Sequence, residues 1–199
     1  MNTSALLIID VQNDFCPGGN LAVNRGDEVI PLINALMQDH AHVILTQDWH
    51  PADHSSFASQ HKGHAPFQQI EMPYGPQTLW PDHCIIGSRG SEFHPALDMS
   101  KAELILRKGF RRAIDSYSAF FENDHKTPTG LAGYLTARSL TTLTLVGLAF
   151  DYCVSYSAED AKALGLEVTV IEAATRAIDL DGTAEATRKS FANRGITLK

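Results

Sequence analysis

Five short runs, ALLII (5–9), HVILTQ (42–47), ELILR (103–107), TTLTLVG (141–147) and LEVTVIEA (166–173), concentrate the apolar and β-branched residues of this chain, and stretches of helical spacing separate most of them. Strand then helix, repeated, is the pattern of a parallel sheet. Parallel neighbours need a long crossover, and the crossover packs as a helix on a sheet face. The run ALLII is apolar without alternation, as suits a strand covered on both faces. The pattern predicts an α/β fold in one domain over residues 1–199, a length near the ~150-residue scale of a single domain.

The helices are read from periodicity and from their ends. Val29, Ile30, Leu32, Ile33, Leu36 and Met37 keep helical spacing from about Asp27, with Pro31 in the first turn, where a missing N–H is tolerated. A second helix lies around Leu131, Tyr134 and Leu135, with Thr127 or Thr129 as its cap. A third follows the fourth strand and closes at Gly165, and a fourth spans 182–193 and closes at Gly195. Residues 49–100 are rich in Pro, Gly, His and Ser and show no period. An excursion of that length over a sheet edge is where binding groups are expected.

Composition narrows the function classes. A formal charge of −7 is the wrong sign for broad nucleic-acid or anionic-membrane binding. The N-terminal apolar run is five residues long, has no basic segment before it and ends at Asp10, so it reads as neither a signal peptide nor a membrane span, and a cytoplasmic address is expected. Cys16, Cys84 and Cys153 are odd in number and form no C-x-x-C pair, which predicts free thiols.

Ligands of open parallel sheets bind beyond the carboxyl ends of the strands. There the first strand ends at Asp10, the second at Asp48 and His50, and the third at Lys108, while the fourth turns through Gly147 to Cys153. Each residue alone is ordinary; together they bring a carboxylate, an ammonium, a thiol and a metal-ligand pair to one rim. Cys153 opens a helix whose stripe of Val154, Ala158 and Ala161 faces the sheet. Unpaired N–H groups and a nearby lysine favour a thiolate there, so a lowered thiol pKa is expected, with Asp151 as the cap. The amides of Ala149 and Cys153 could cradle an oxyanion. Asp48 and His50 share one side of an extended segment, and His83 in WPDHC is a third candidate ligand. One carboxylate and two imidazoles suit zinc, iron or manganese better than calcium.

The segments ALLIIDVQNDFCPGG, TQDWHP, WPDHC, RKG, DSYSAFF and VGLAFDYCV, in this order through most of the chain, resemble the metal-containing nicotinamidase branch of the isochorismatase-like cysteine hydrolase family. The resemblance implies a three-layer α/β/α fold with a mainly parallel six-stranded sheet. It implies an Asp10, Lys108, Cys153 triad that hydrolyses nicotinamide to nicotinate and ammonia through a cysteine thioester, in NAD salvage. It further implies an oxyanion hole of the Ala149 and Cys153 amides after a cis Leu148–Ala149 peptide, and a ring pocket lined by Phe15, Trp80 and Tyr117. One divalent metal ion, zinc first with iron or manganese as alternatives, would sit on Asp48, His50 and His83, with His54 beside it but not ligating. The partner is then the small molecule nicotinamide, with no nucleic acid and no membrane, in a monomer or homo-oligomer. The segment FRRAID varies in length in the family, so Arg111 or Arg112 is expected to meet a partner subunit or solvent. Three other readings stay open: a related cysteine amidohydrolase acting on another small amide or carbamoyl substrate, a non-haem iron oxygenase using the two histidines and a carboxylate, and a metal-binding module without catalysis.

Overall fold

A computed structural model describes residues 3–199. Its elements in chain order are β1 (Ser4–Ile9), α1 (Ile30–Gln38), β2 (His42–Asp48), β3 (Gln69–Met72), β4 (Gly75–Thr78), β5 (Ala102–Lys108), α2 (Leu131–Ala137), β6 (Thr142–Leu148), α3 (Ser155–Ala163), β7 (Glu167–Arg176), α4 (Thr183–Arg194) and β8 (Thr197–Leu198). Six strands form one sheet in the order β5-β2-β1-β6-β7-β8, and every neighbouring pair is parallel.

The unbroken apolarity of β1 has the reason the sequence suggested. Leu6 and Ile8 point to one face, where they join Val43, Leu45, Ile33 and Met37 in a core beneath α1. Ala5, Leu7 and Ile9 point to the other, where Leu131, Val154, Ala158 and Phe191 bring α2, α3 and α4 against the sheet. Side chains alternate across a strand, so a central strand with both faces covered has no place for a polar residue until its end. That end is Asp10. The result is the expected three-layer α/β/α arrangement, and β1 lies between β2 and β6, so their carboxyl ends meet at one rim.

Pro31 lies in the first turn of α1, and Gly195 ends α4 in the left-handed region at φ 68°. Thr129 Oγ1 accepts the Leu131 N–H at 3.3 Å, whereas Thr127 turns away to Asp124. The 49–100 excursion is less irregular than its composition suggested, because β3 and β4 pair antiparallel within it, from Gln69 opposite Thr78 to Met72 opposite Gly75. Among the described residues no helix is long and apolar enough to cross a membrane. All three cysteines are free and buried.

Candidate active site

Lys108, the last residue of β5, is the hub of the rim. Its side chain is fully buried and its Nζ stands 2.8 Å from Asp10 Oδ2, 2.9 Å from the Ser116 carbonyl and 3.4 Å from Cys153 Sγ, with a short contact to Asp48 Oδ1. Burial works against its charge, but Asp10 and Asp48 outweigh it and hold the ammonium well above the ordinary lysine range.

Asp10 takes up a left-handed backbone, φ 47°, where β1 ends. Thr46 donates to its Oδ1 at 2.6 Å and accepts its backbone N–H at 3.2 Å. Burial pushes this carboxyl up to about 6 against the pull of Lys108. Cys153 lies in a π-helical turn, Phe150–Val154, that leads into α3, and the preceding Leu148–Ala149 peptide is cis, as the resemblance implied. Gly147, at φ 111°, is held so close to β1 that a Cβ would run into the Ile9 backbone, which explains a glycine near the end of β6.

Two sequence expectations about this turn are corrected. Asp151 does not cap its own helix; its carboxylate accepts the N–H groups of Ile178 and Asp179 at 3.0 and 2.7 Å and the Thr183 hydroxyl at 2.6 Å, tying the turn to the β7–α4 loop. Nor is the Cys153 thiol lowered. Burial pushes it well above its ordinary value, Asp10 and Asp48 push the same way, and only Lys108 opposes them. Burial outweighs the ammonium and the helix opening, so the thiol is held up rather than lowered.

Asp48, His50 and His83 are buried, and one ligand atom from each lies within 4.8 Å of the others. The Nδ1–H of His50 donates to the Gly109 carbonyl and that of His83 to the Pro81 carbonyl, each at 2.8 Å. A carbonyl only accepts, so these bonds fix the tautomers and leave both Nε2 lone pairs toward Asp48 Oδ2, at 3.6 and 3.9 Å. His50 Nε2 is buried without a hydrogen-bond partner, which is what a cation would satisfy. Burial and the neighbouring His50 hold His83 down to about 4, so it stays neutral and ligand-ready. The three residues fit a divalent ion. His54 has both ring nitrogens engaged, by Ser56 Oγ at 2.7 Å and the Ile114 carbonyl at 3.1 Å, and so stands beside the site without a free lone pair.

Phe15, Trp80 and Tyr117 line one cleft together with Asp48, His83, Ala149 and Cys153. Leu21, Asp115, Tyr152 and Ile178 also line it and were not anticipated. Tyr152 meets Trp80 edge-on, ring centroids 4.8 Å apart, and its place one residue before Cys153 was the available signal. Gln12 was also missed: its side chain binds both backbone groups of Asp48, each at 2.8 Å, and so fixes the end of β2. Arg111 and Arg112 pair within the chain, with Glu122 and Asp53, rather than facing only solvent or a partner.

A family model described as the isochorismatase domain matches residues 4–198. A nicotinamidase of Acinetobacter baylyi is 51% identical over 195 residues, covering 98% of this chain and 91% of that protein. Among solved structures, a nicotinamidase/pyrazinamidase of Acinetobacter baumanii superposes with a TM-score of 0.98 at 50% identity, covering 100% of this chain and 96% of the other. A pyrazinamidase of Pyrococcus horikoshii in complex with zinc gives 0.81 at 29% identity, covering 100% and 99%.

Proposed function

This chain belongs to the isochorismatase family, and we propose that within it the protein is a metal-dependent cysteine amidohydrolase converting nicotinamide to nicotinate and ammonia, a step of NAD salvage. The observation that carries the reading is the placement of Lys108 Nζ between Asp10 and Cys153, beside the Asp48, His50 and His83 cluster and at the base of an aromatic cleft.

The cleft is the right kind of place for a flat heteroaromatic amide. Phe15, Trp80 and Tyr117 present ring faces and edges, while the carboxamide carbon is directed at Cys153. Asp10 takes the thiol proton as the sulfur bonds to that carbon, and the ammonium of Lys108 stabilises the charge that passes between them. The amides of Ala149 and Cys153 receive the developing oxyanion; one such donor is typically worth ~10²–10³ in rate. Asp10 then returns its proton to the departing nitrogen, ammonia leaves, and the acyl group remains on sulfur as a thioester. Water attacks that thioester and gives one proton to Asp10, which hands it back to the sulfur; the product acid loses its remaining proton to solvent and leaves as nicotinate. A divalent ion, zinc with iron or manganese as alternatives, would be held by Asp48, His50 and His83 and would supply a Lewis acid to fix the ring nitrogen.

Ammonia release from nicotinamide, compared with a panel of small amides and a carbamoyl compound and repeated after chelation, tests the proposal. Turnover of nicotinamide above the panel, lost on chelation and regained with metal, is the expected result. Turnover of the carbamoyl compound alone would move the assignment to another member of the family.

A further inference from the structure

The reading of the aromatic cleft leaves open what holds its walls in place. Gln77, on β4, is polar yet completely buried. Its Nε2 donates to the Thr78 carbonyl and to the Tyr117 hydroxyl, both at 2.7 Å, and stands 3.3 Å from Asp115 Oδ2. Its Oε1 accepts from Asn123 Nδ2 at 3.0 Å and from the Tyr74 hydroxyl at 3.2 Å. Flipping the carboxamide would set its oxygen against two acceptors and its NH₂ against a donor, so the orientation is fixed. Trp80 Nε1 donates to the same Tyr117 hydroxyl at 3.0 Å. The two aromatic walls are thus pinned to one phenol oxygen, and that oxygen is tied to the hairpin of the 49–100 excursion through a single side chain.

We infer that Gln77 is a positioning residue for the substrate ring: it acts through the Tyr117 hydroxyl to hold Trp80 and Tyr117 at the separation the ring requires, and so sets affinity and ring selectivity without touching the reacting atoms. The inference rests on the function proposed above. A buried phenol oxygen that loses one of two donors can rotate, and the cleft wall moves with it. Asp10 and Lys108 stand at the ends of β1 and β5, and Gln77 bonds neither of them nor Cys153, so the change is expected to fall on binding more than on the chemical step.

The test is a double-mutant cycle of Gln77→Met and Tyr117→Phe, read as separate kcat and KM values for nicotinamide. Gln77→Met is expected to raise KM about tenfold, the scale of one buried hydrogen bond, with kcat within about twofold of the parent; Tyr117→Phe, at a residue that lines the cleft itself, is expected to raise KM at least as much. Because both remove the same contact, the double variant is expected to match the weaker-binding single rather than the product of the two. Discrimination against ring-substituted nicotinamides should fall in parallel. Independent, multiplicative effects on KM, or a fall in kcat at constant KM, would overturn the inference. Should Gln77→Met fail to fold, Gln77→Leu removes the same donor to the Tyr117 hydroxyl and carries the same expectations; Asn123 is left intact because its Oδ1 also accepts the Tyr117 backbone N–H at 3.0 Å. A parent protein that does not turn over nicotinamide at all would instead refute the function, which keeps the two failures apart.

Discussion

Lys108 Nζ lies 3.4 Å from Cys153 Sγ, joining residues 45 positions apart in sequence. The contact exists because β5 and β6 lie on opposite sides of the β2–β1 pair and all run the same way, so their ends converge. Replacing Cys153 with Ala removes the nucleophile proposed at this junction and is expected to lower nicotinamide turnover by about 10⁴-fold or more, with the fold retained. Ammonia release measured beside the circular dichroism spectrum checks both halves of that statement.

Lys108→Met should behave differently, because it also strips Asp10 and Asp48 of their shared cation. An uncompensated buried charge costs about 3–5 kcal/mol, so this variant is expected to lose stability as well as turnover. A thermal melt that left Tm unchanged while activity vanished would show that the lysine serves chemistry alone.

The acid limb of the pH profile follows from Asp10. Burial raises its carboxyl to about 6, and the proposed reaction needs it as the carboxylate that accepts the thiol proton. Below that pH the native protein holds the proton already. The value of kcat/KM is therefore expected to fall tenfold per pH unit on the acid side, with its midpoint near 6 rather than near the ~3.9 of an exposed aspartate. The same upward shift means that the folded state binds this proton more readily than the unfolded chain. Its contribution to stability is thus present below about 3.8 and lost as pH rises through about 6. Initial rates across pH 4.5–8 at subsaturating substrate decide the matter.

The strand ends were legible because apolar runs stop where the sheet stops; Asp10, Asp48 and Lys108 follow those stops directly, and Cys153 comes in the turn after the fourth run. What the sequence concealed depends on contacts between distant segments. The β3–β4 hairpin carries Pro76 and mostly polar residues, so neither alternation nor β-propensity marks it. Gln12 and Gln77 are polar residues whose burial is decided by partners 36 and 40 residues away. Asp151 stands where a helix cap would stand, yet a loop 27 residues on competes for its oxygens and wins with three donors. The thiol pKa failed for a related reason: helix opening and lysine are local signals, but desolvation by the assembled core is not.

His83 enters the site from the long excursion rather than from a sheet strand, so it can be removed without disturbing the triad. His83→Ala is expected to release metal to a chelator at roughly 10–100-fold lower concentration than the parent and to raise KM, while the thiol remains alkylable at its normal rate. Metal content after graded chelator dialysis, alongside thiol labelling, separates loss of the ion from collapse of the cleft.

Gly109 offers a test that leaves every proposed ligand and triad side chain unmutated. It sits at φ 67°, a left-handed conformation that costs an L side chain about 1–2 kcal/mol, and its carbonyl receives the Nδ1–H of His50. A Cβ there would be driven into the His50 ring, at Cε1 and Nδ1. The ring cannot retreat, because Phe57 and His83 flank it edge-on with centroids 5.5 and 4.9 Å away and His54 lies 4.4 Å off. Gly109→Ala must therefore tilt the imidazole and aim its free Nε2 away from Asp48. The expected result is a protein whose Tm falls by a few degrees but whose metal content falls far more, since a ligand misaimed by an ångström loses most of its bond while the sheet loses little. Full metal occupancy in Gly109→Ala would mean that the His50 orientation is not set by this backbone contact.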